Sequence, residues 1–233
     1  MKKFLLAAVV LLGSISLANA ERFSIGVTVT GAVFEADGAQ EIFSGAHSSG
    51  ASPGDVTKST ADEGEDAEAA VAMGSIFVEA AMTDQVSLGI NYVPHSMDSE
   101  TTENVQNITG ATHTGGDGKS TNSVKLSFED LTTVYALFNL NDNVYAKLGY
   151  VQVDVITDEN LATGGAYGNT DLDGYSVGLG YSMDLQDGMF ARIEASYMDL
   201  DGASLTNDND TTKSVKVDGI SGYGAGISIG KSF

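Results

Sequence analysis

Four charged residues stand at similar distances from three short polar segments that resemble one another. Glu79 lies four residues before the first segment, and Lys147 lies four residues after the second. Arg192 and Glu194 lie four and six residues after the third. The segments, each bounded by apolar residues, are Thr83-Asp84-Gln85, Asn141-Asp142-Asn143 and Gln186-Asp187-Gly188. Two acids and two bases at matched positions predict a neutral ion network, because buried charges are tolerated when they are paired.

Two segments formally match signatures of catalysis or nucleotide binding. Residues 174–178 read Gly-Tyr-Ser-Val-Gly, but a nucleophile of this pattern needs a strand-to-helix elbow, and these residues lie inside an alternating run. Residues 113–120 approach a phosphate-binding loop, but they begin with histidine and no helix is predicted after them. We therefore expect no catalytic residues, no cofactor and no resident metal.

Histidine offers one remaining route to catalysis. Of His47, His95 and His113, only His95 falls where it could act as the base of a lipid-modifying enzyme. Ser96 and Asp98 are its neighbours in sequence, and such chemistry requires a hydroxyl nucleophile and an orienting carboxylate beside the base. The sequence favours a surface histidine without a catalytic role, and the enzyme stays the lower alternative.

The elements that position these residues are strands. Apolar and small residues alternate with period two through eight segments, most clearly from Tyr175 to Leu185 and from Gly222 to Phe233. The segments are 23–34, 70–82, 86–93, about 127–140, 144–156, 175–185, 189–200 and 222–233. Three connections are tight turns, and the other four, roughly 37–69, 96–122, 158–172 and 201–215, are long. Short and long connections therefore alternate, which places them at opposite ends.

This layout predicts an all-β fold, an eight-stranded antiparallel transmembrane β-barrel with short periplasmic turns and long outer loops. The uniformly apolar parity would face lipid, leaving serine, glycine and a few matched ions to fill a narrow lumen. Glu79, Lys147, Arg192 and Glu194 would then share one layer near the periplasmic end. That layer is interpreted as a structural plug, with a gated path for ions as the alternative. A secreted soluble barrel with an apolar interior also stays open, because alternation alone does not distinguish inside from outside.

Composition supports export and excludes polyanionic partners. Residues 1–20 combine Lys2 and Lys3, an apolar run and a small-residue end at Ala20, as in a cleaved signal peptide. Residues 21–233 then form one barrel domain. The 233-residue chain carries 11 Lys and Arg against 32 Asp and Glu, a formal charge of -21, so no nucleic-acid partner is expected. It has no cysteine, which excludes disulfides and thiolate metal sites.

Most of the acidic residues fall in the long connections. The densest run, Asp62-Glu63-Gly64-Glu65-Asp66-Ala67-Glu68, has oxygen ligands suited to calcium or magnesium, but its spacing matches no EF-hand loop. A solvated, self-repelling loop is the favoured interpretation. Divalent cations that bridge such acidic loops to lipid phosphates remain a hypothesis.

The signal peptide, the eight strands and a last strand ending in Phe233 resemble the small outer-membrane barrels of Gram-negative bacteria, the OmpA-type and opacity-protein class. The resemblance covers the barrel domain only. It implies location in the cell outer membrane, contact with outer-membrane lipid, and an assembly signal read by the barrel-assembly machinery at Ile227, Ile229 and Phe233. Lys231 departs from that pattern, since the class commonly has an apolar residue there.

The sequence therefore predicts an integral outer-membrane protein of porin-like class that is not an enzyme. Its expected role is structural or surface-interacting, with at most slight permeability to small solutes. Eight strands enclose only enough space for side chains, so a wide pore is not expected. The first alternative is a narrow porin-like channel for small solutes, in which Arg192 and Lys147 would control conductance.

Overall fold

Nearly all of the described chain is β-strand. The computed structural model describes residues 22–37, 40–43, 67–99, 101–108, 118–161, 166–209, 211 and 213–233. Its strands are β1 (Arg22–Asp37), β2 (Gln40–Phe43), β3 (Ala67–Ala81), β4 (Val86–Tyr92), β5 (Met97–Asp98), β6 (Thr102–Ile108), β7 (Gly118–Asn139), β8 (Val144–Leu161), β9 (Thr170–Asp184), β10 (Met189–Thr206) and β11 (Lys213–Ser232). Among these residues, no helix is long and apolar enough to cross a membrane.

Eight long strands close into a barrel. Each of β1, β3, β4, β7, β8, β9, β10 and β11 pairs antiparallel with the next, and β11 pairs back onto β1. The short strands lie at the loop end, with β2 on β11 and both β5 and β6 on β7. The predicted fold class, a closed antiparallel barrel of eight strands, is confirmed.

The pairing register fixes how steeply the strands tilt. Ser24 on β1 pairs with Glu79 on β3, and a series of such directly paired residues, which we call a rung, can be followed from strand to strand round the barrel. After all eight strands the rung returns to β1 at Phe34. The stagger is therefore ten residues, the difference between positions 24 and 34, which for eight strands corresponds to a tilt of about 40°. Residues at one height therefore belong to different rungs of the ladder.

Tight turns join the strands at one end. Thr83 Oγ1 accepts hydrogen bonds from the backbone N–H groups of Gln85 and Val86, at 3.2 and 3.0 Å, which closes the turn between β3 and β4. Between β9 and β10, Asp187 and Gly188 take positive φ angles of 59° and 74°. Glycine adopts this left-handed region without the penalty that a Cβ brings. Both turns occupy the short polar segments that the sequence predicts.

An apolar belt surrounds the half of the barrel next to these turns. Exposed apolar side chains follow one another on the outward face of β9, ending in Tyr175, Val177, Leu179, Tyr181 and Met183. From Tyr175 to Leu185 in the turn the run spans ten residue-to-residue steps, which at ~3.3 Å per step and a tilt near 40° rise about 25 Å. Apolar bands of outer-membrane barrels have this height. The apolar parity thus points outward, as predicted, and a water-soluble barrel with an apolar interior is excluded.

Tyrosines mark the upper edge of the belt, by which we mean the edge farther from the tight turns. Tyr92, Tyr150, Tyr175, Tyr197 and Tyr223 stand on the outward face of β4, β8, β9, β10 and β11, five different strands. Rings on adjacent strands touch, with centroids 5.9 Å apart for Tyr150 and Tyr175 and 4.9 Å apart for Tyr197 and Tyr223. Aromatic side chains gather at this height because they place an apolar ring in lipid and a hydroxyl in water.

Above the tyrosines the polarity of the barrel wall is reversed. Along β8, Leu148 and Tyr150 face outward in the belt, but Asp154 follows on the same face. The inward face of the same strand changes in the opposite sense, from Lys147 to the buried Val153. The upper part is thus built like a water-soluble barrel, with polar residues outside and apolar residues inside.

The reversal explains an error in the predicted boundaries. β7 begins at Gly118 where the sequence predicts about 127, β10 ends at Thr206 instead of 200, and β11 begins at Lys213 instead of 222. Much of the predicted long connections is therefore strand. Because the apolar residues change faces above the belt, the alternation loses its phase there and the sequence pattern resembles a loop.

Candidate functional site

In the lower half of the barrel, next to the tight turns, the lumen is shaped by aromatic residues that face glycines. Tyr135 lies opposite Gly89, and Tyr145 lies opposite Gly180, on neighbouring strands. A Cβ at Gly89 would come within 2.4 Å of Tyr135 Cζ, and one at Gly180 within 2.2 Å of Tyr145 Cζ. Only glycine leaves room for these rings, so the glycines direct each tyrosine across the lumen.

The four charged residues predicted to share a layer meet in two ion pairs. The guanidinium of Arg192 donates two hydrogen bonds to Glu79, from Nη1 to Oε1 at 2.6 Å and from Nη2 to Oε2 at 2.9 Å. Lys147 Nζ donates to Glu194 Oε1. Two carboxylates and two cations make a neutral group, which we call the ion-pair layer. The sequence located this layer because each member lies a similar number of residues from a turn.

The two tyrosines that lie opposite glycines complete the ion-pair layer. Tyr135 Oη donates a hydrogen bond to Glu79 Oε1 at 2.8 Å, and Tyr145 Oη donates to Glu194 Oε2 at 2.9 Å. Arg192 also lies over aromatic rings, with Cζ 4.4 Å from the centroid of Phe190. Each carboxylate therefore has a cation and a phenol as partners. Sequence reasoning missed the tyrosines, because their role depends on which glycine each one faces.

The ion-pair layer forms part of the wall of a small cavity of about 90 Å³, whose lining mixes polar and apolar side chains. Threonine and serine hydroxyls line it, among them Thr28, Thr133, Ser176 and Ser196, and we call this zone the hydroxyl layer. Ser176 is buried, and its Oγ has no hydrogen-bond partner among the described residues. A cavity of this size with hydroxyl and charged groups on its wall has room for several water molecules, which would satisfy such groups.

The outer half of the lumen is filled by hydrocarbon. A buried apolar cluster, which we call the apolar plug, is built round Met73, Val93, Leu131, Val151, Val153 and Leu200. These side chains come from five of the eight strands, counting Val93 with β4 and both Val151 and Val153 with β8. The expectation that serine, glycine and a few ions fill the whole lumen is therefore wrong for this half. The physical reason is the reversal of wall polarity above the tyrosines.

The residues proposed as an assembly signal lie on the outward face of the last strand. Ile227, Ile229 and Phe233 are all exposed. Lys231, which departs from the pattern, places its Nζ 5.4 Å from the ring centroid of Phe233. Its ammonium group lies at the turn end, where a long side chain can reach water from an apolar surface.

The residues considered for catalysis have other partners. The ring of His95 accepts a hydrogen bond at Nε2 from the backbone N–H of Gly74, at 3.0 Å, and Nδ1 lies 3.1 Å from the carbonyl oxygen of Ser96. Asp98 instead accepts hydrogen bonds from Lys125 and Ser127. The structure does not bring Asp98 to the histidine. Residues 174–178 lie within β9, with Ser176 facing the lumen.

Several predicted features fall outside the described residues. They are the signal peptide at 1–20, most of the acidic run at 62–68, His47, His113 and the first part of the 113–120 segment. Among the described residues, no group of three acidic or histidine side chains could hold a metal ion.

Asp154, above the tyrosines, gives a testable pH effect. Burial, and after it the hydrogen bond and charge of Asp171 on β9, raise the pKa of Asp154 to about 7. The folded carboxyl therefore keeps its proton to a higher pH than the unfolded one, whose ordinary value is 3.8. Unfolding releases a proton between those values, so this group makes stability fall as pH rises from about 4 to about 7.

We expect Asp154→Asn to remove this decrease of stability with rising pH. Urea unfolding midpoints at about pH 5 and about pH 8, compared for the two proteins, measure the effect. The variant should gain stability over the wild type at the higher pH and little at the lower pH, because Asp171 then faces a neutral amide. Identical pH dependence in the two proteins would contradict the prediction.

Several known structures resemble this chain at low sequence identity. No protein-family model matches the sequence, and no curated protein matches it. The structure of Ail, the attachment invasion locus protein of Yersinia pestis, matches with a TM-score of 0.43 and 9% identity over 91% of this chain and 98% of that chain.

Two further structures match to a similar degree. The outer membrane protein OprG of Pseudomonas aeruginosa gives a TM-score of 0.45 and 16% identity, covering 92% of this chain and 97% of that one. The outer membrane protease OmpT of Escherichia coli gives 0.41 and 11%, again over 92% and 97%. The belt, the tyrosines and the turn arrangement of this chain are its own evidence that it spans the outer membrane.

Proposed function

We propose that this outer-membrane β-barrel has a structural and surface-interaction role, with at most slight permeability to small solutes. The observation that carries the proposal is the filled lumen, in which an ion-pair layer and an apolar plug follow one another along the axis. A lumen of this kind leaves the outer surface as the part of the molecule that meets other partners. We propose no enzymatic activity, since His95 and Asp98 are engaged in separate contacts.

A narrow channel for small solutes is the second candidate. The hydroxyl layer favours it, because a cavity of about 90 Å³ whose wall carries hydroxyls and the ion-pair layer could hold water or an ion. In this candidate, rearrangement of the pairs formed by Arg192 and Lys147 would open a path.

The proposed partners follow from the outer surface of the barrel. We propose that outer-membrane lipid covers the apolar belt and that the barrel-assembly machinery reads Ile227, Ile229 and Phe233. Divalent cations remain a proposal for the acidic connections, where carboxylates would otherwise face lipid phosphates unshielded. The charge of -21 supports this need for counterions.

Fractionation of expressing cells tests the proposal. We expect the mature chain to need detergent for extraction and to migrate differently on gels before and after boiling, because a closed barrel resists detergent at low temperature until heat unfolds it. Phe233→Ala should lower the share of chain in the heat-modifiable form, and Ser232→Ala serves as the neighbouring control. Extraction in buffer alone would contradict the proposal. Extracted lipids that change on expression of the wild type, but not of His95→Ala, would instead support the enzyme.

A further inference from the structure

The inward residues of single strands show that three chemical layers follow one another along the lumen. On β10 the inward side chains run from Arg192 and Glu194 through Ser196 to Met198 and Leu200. Charge, hydroxyl and hydrocarbon therefore succeed one another within nine residues of one strand.

A similar order recurs on other strands. On β3 it runs from Glu79 past the buried Phe77 and Ser75 to Met73, and on β7 from the phenol of Tyr135 through Thr133 to Leu131. Because three strands give a similar succession, the layers extend across the lumen. A solute that crosses the barrel has to pass all three.

The layers differ in their access to water. The side chains of Lys147, Glu194 and Arg192 are 20%, 15% and 15% exposed, so water reaches this part of the ion-pair layer, whereas the side chain of Glu79 is only 5% exposed. Val151 and Val153 in the apolar plug are both 0% exposed. Charged groups that water already touches can exchange one partner for another, whereas a dry hydrocarbon layer offers a passing ion no replacement for its hydration shell.

We infer that the apolar plug, and not the ion-pair layer, is the barrier to passage of ions and small polar solutes through this barrel. The hydroxyl layer is then a water-filled chamber that ends blindly at the plug. This inference rests on the proposed function in requiring that the barrel spans a membrane. It differs from the channel candidate, in which the ion pairs form the gate.

Conductance of the full mature barrel in planar lipid bilayers containing potassium chloride tests the inference. Val151→Ser/Val153→Ser makes the plug polar, whereas Glu79→Gln/Arg192→Gln neutralises one ion pair and keeps the plug. We expect the plug variant to conduct at least about tenfold more than the wild type, and the pair variant to stay within about twofold of it. The same two changes on the lipid face, Val27→Ser/Val29→Ser, are the matched control and should not conduct.

Two outcomes would overturn the inference: the pair variant conducts while the plug variant stays silent, or both stay silent. Heat-modifiable mobility of each protein in vesicles is measured first, so that failure of the wild type to fold there counts against the proposed function instead. If the serine variant does not fold, Val151→Thr/Val153→Thr keeps the side-chain volume, and we expect about threefold more conductance than in the wild type. A threonine variant that folds and stays silent would equally overturn the inference.

Discussion

Arg192→Leu is expected to lower the free energy of unfolding by about 3–5 kcal/mol, because it leaves a buried carboxylate without its cation. Glu79, its partner, has a side chain only 5% exposed and receives both guanidinium hydrogen bonds. Tyr135 remains as a donor, but a single neutral hydroxyl compensates a charge poorly. Urea unfolding in lipid vesicles measures the loss by circular dichroism, since the chain has no tryptophan for fluorescence.

Two controls separate the buried charge from a general loss of contacts. Lys125→Leu breaks an ion pair with Asp98 of similar length, 2.8 Å, but its side chains are 36% and 46% exposed, so we expect a loss below about 1 kcal/mol. Arg192→Leu/Glu79→Leu removes both charges and should regain much of the stability that the single change loses. A single change that costs no more than Lys125→Leu would show that the pair is not effectively buried.

Leu179→Arg should destabilise the barrel by about 2–4 kcal/mol, because it places a cation against hydrocarbon at mid-height of the apolar belt. Leu179 is 57% exposed on the outward face of β9. In a water-soluble protein, a charge at a site this exposed would be nearly neutral in effect. The sign and size of the change therefore report directly on whether lipid surrounds this surface.

The matched substitution lies on the same outer surface beyond the tyrosines. Asp201 is exposed on β10, and we expect Asp201→Arg to change stability by no more than about 0.5 kcal/mol. Unfolding midpoints in vesicles compare the two variants. Equal effects would contradict the boundary drawn at the tyrosines, and no effect of Leu179→Arg would contradict the membrane position itself.

The ion-pair layer shows how far local pattern reaches in this protein. Glu79, Lys147, Arg192 and Glu194 could be grouped from the sequence because distance from a turn sets depth in a barrel wall. The bonding partners could not be derived in this way. Which acid meets which base depends on the stagger of ten residues, and that quantity exists only once all eight strands have closed.

The sequence by itself determined the strand count, the tight turns, the alternation of an apolar and a polar face along the strands, and the depth of the charged residues. Each of these depends on residues close together in the chain, or on a periodicity that a strand imposes locally. Only the tertiary structure decided that Tyr135 fits against Gly89, and that the wall reverses its polarity above the tyrosines. Both depend on contacts between strands far apart in sequence. The apolar plug escaped prediction for the same reason, because alternation gives two faces and the surroundings decide which of them, at each height, meets lipid, water or the other strands.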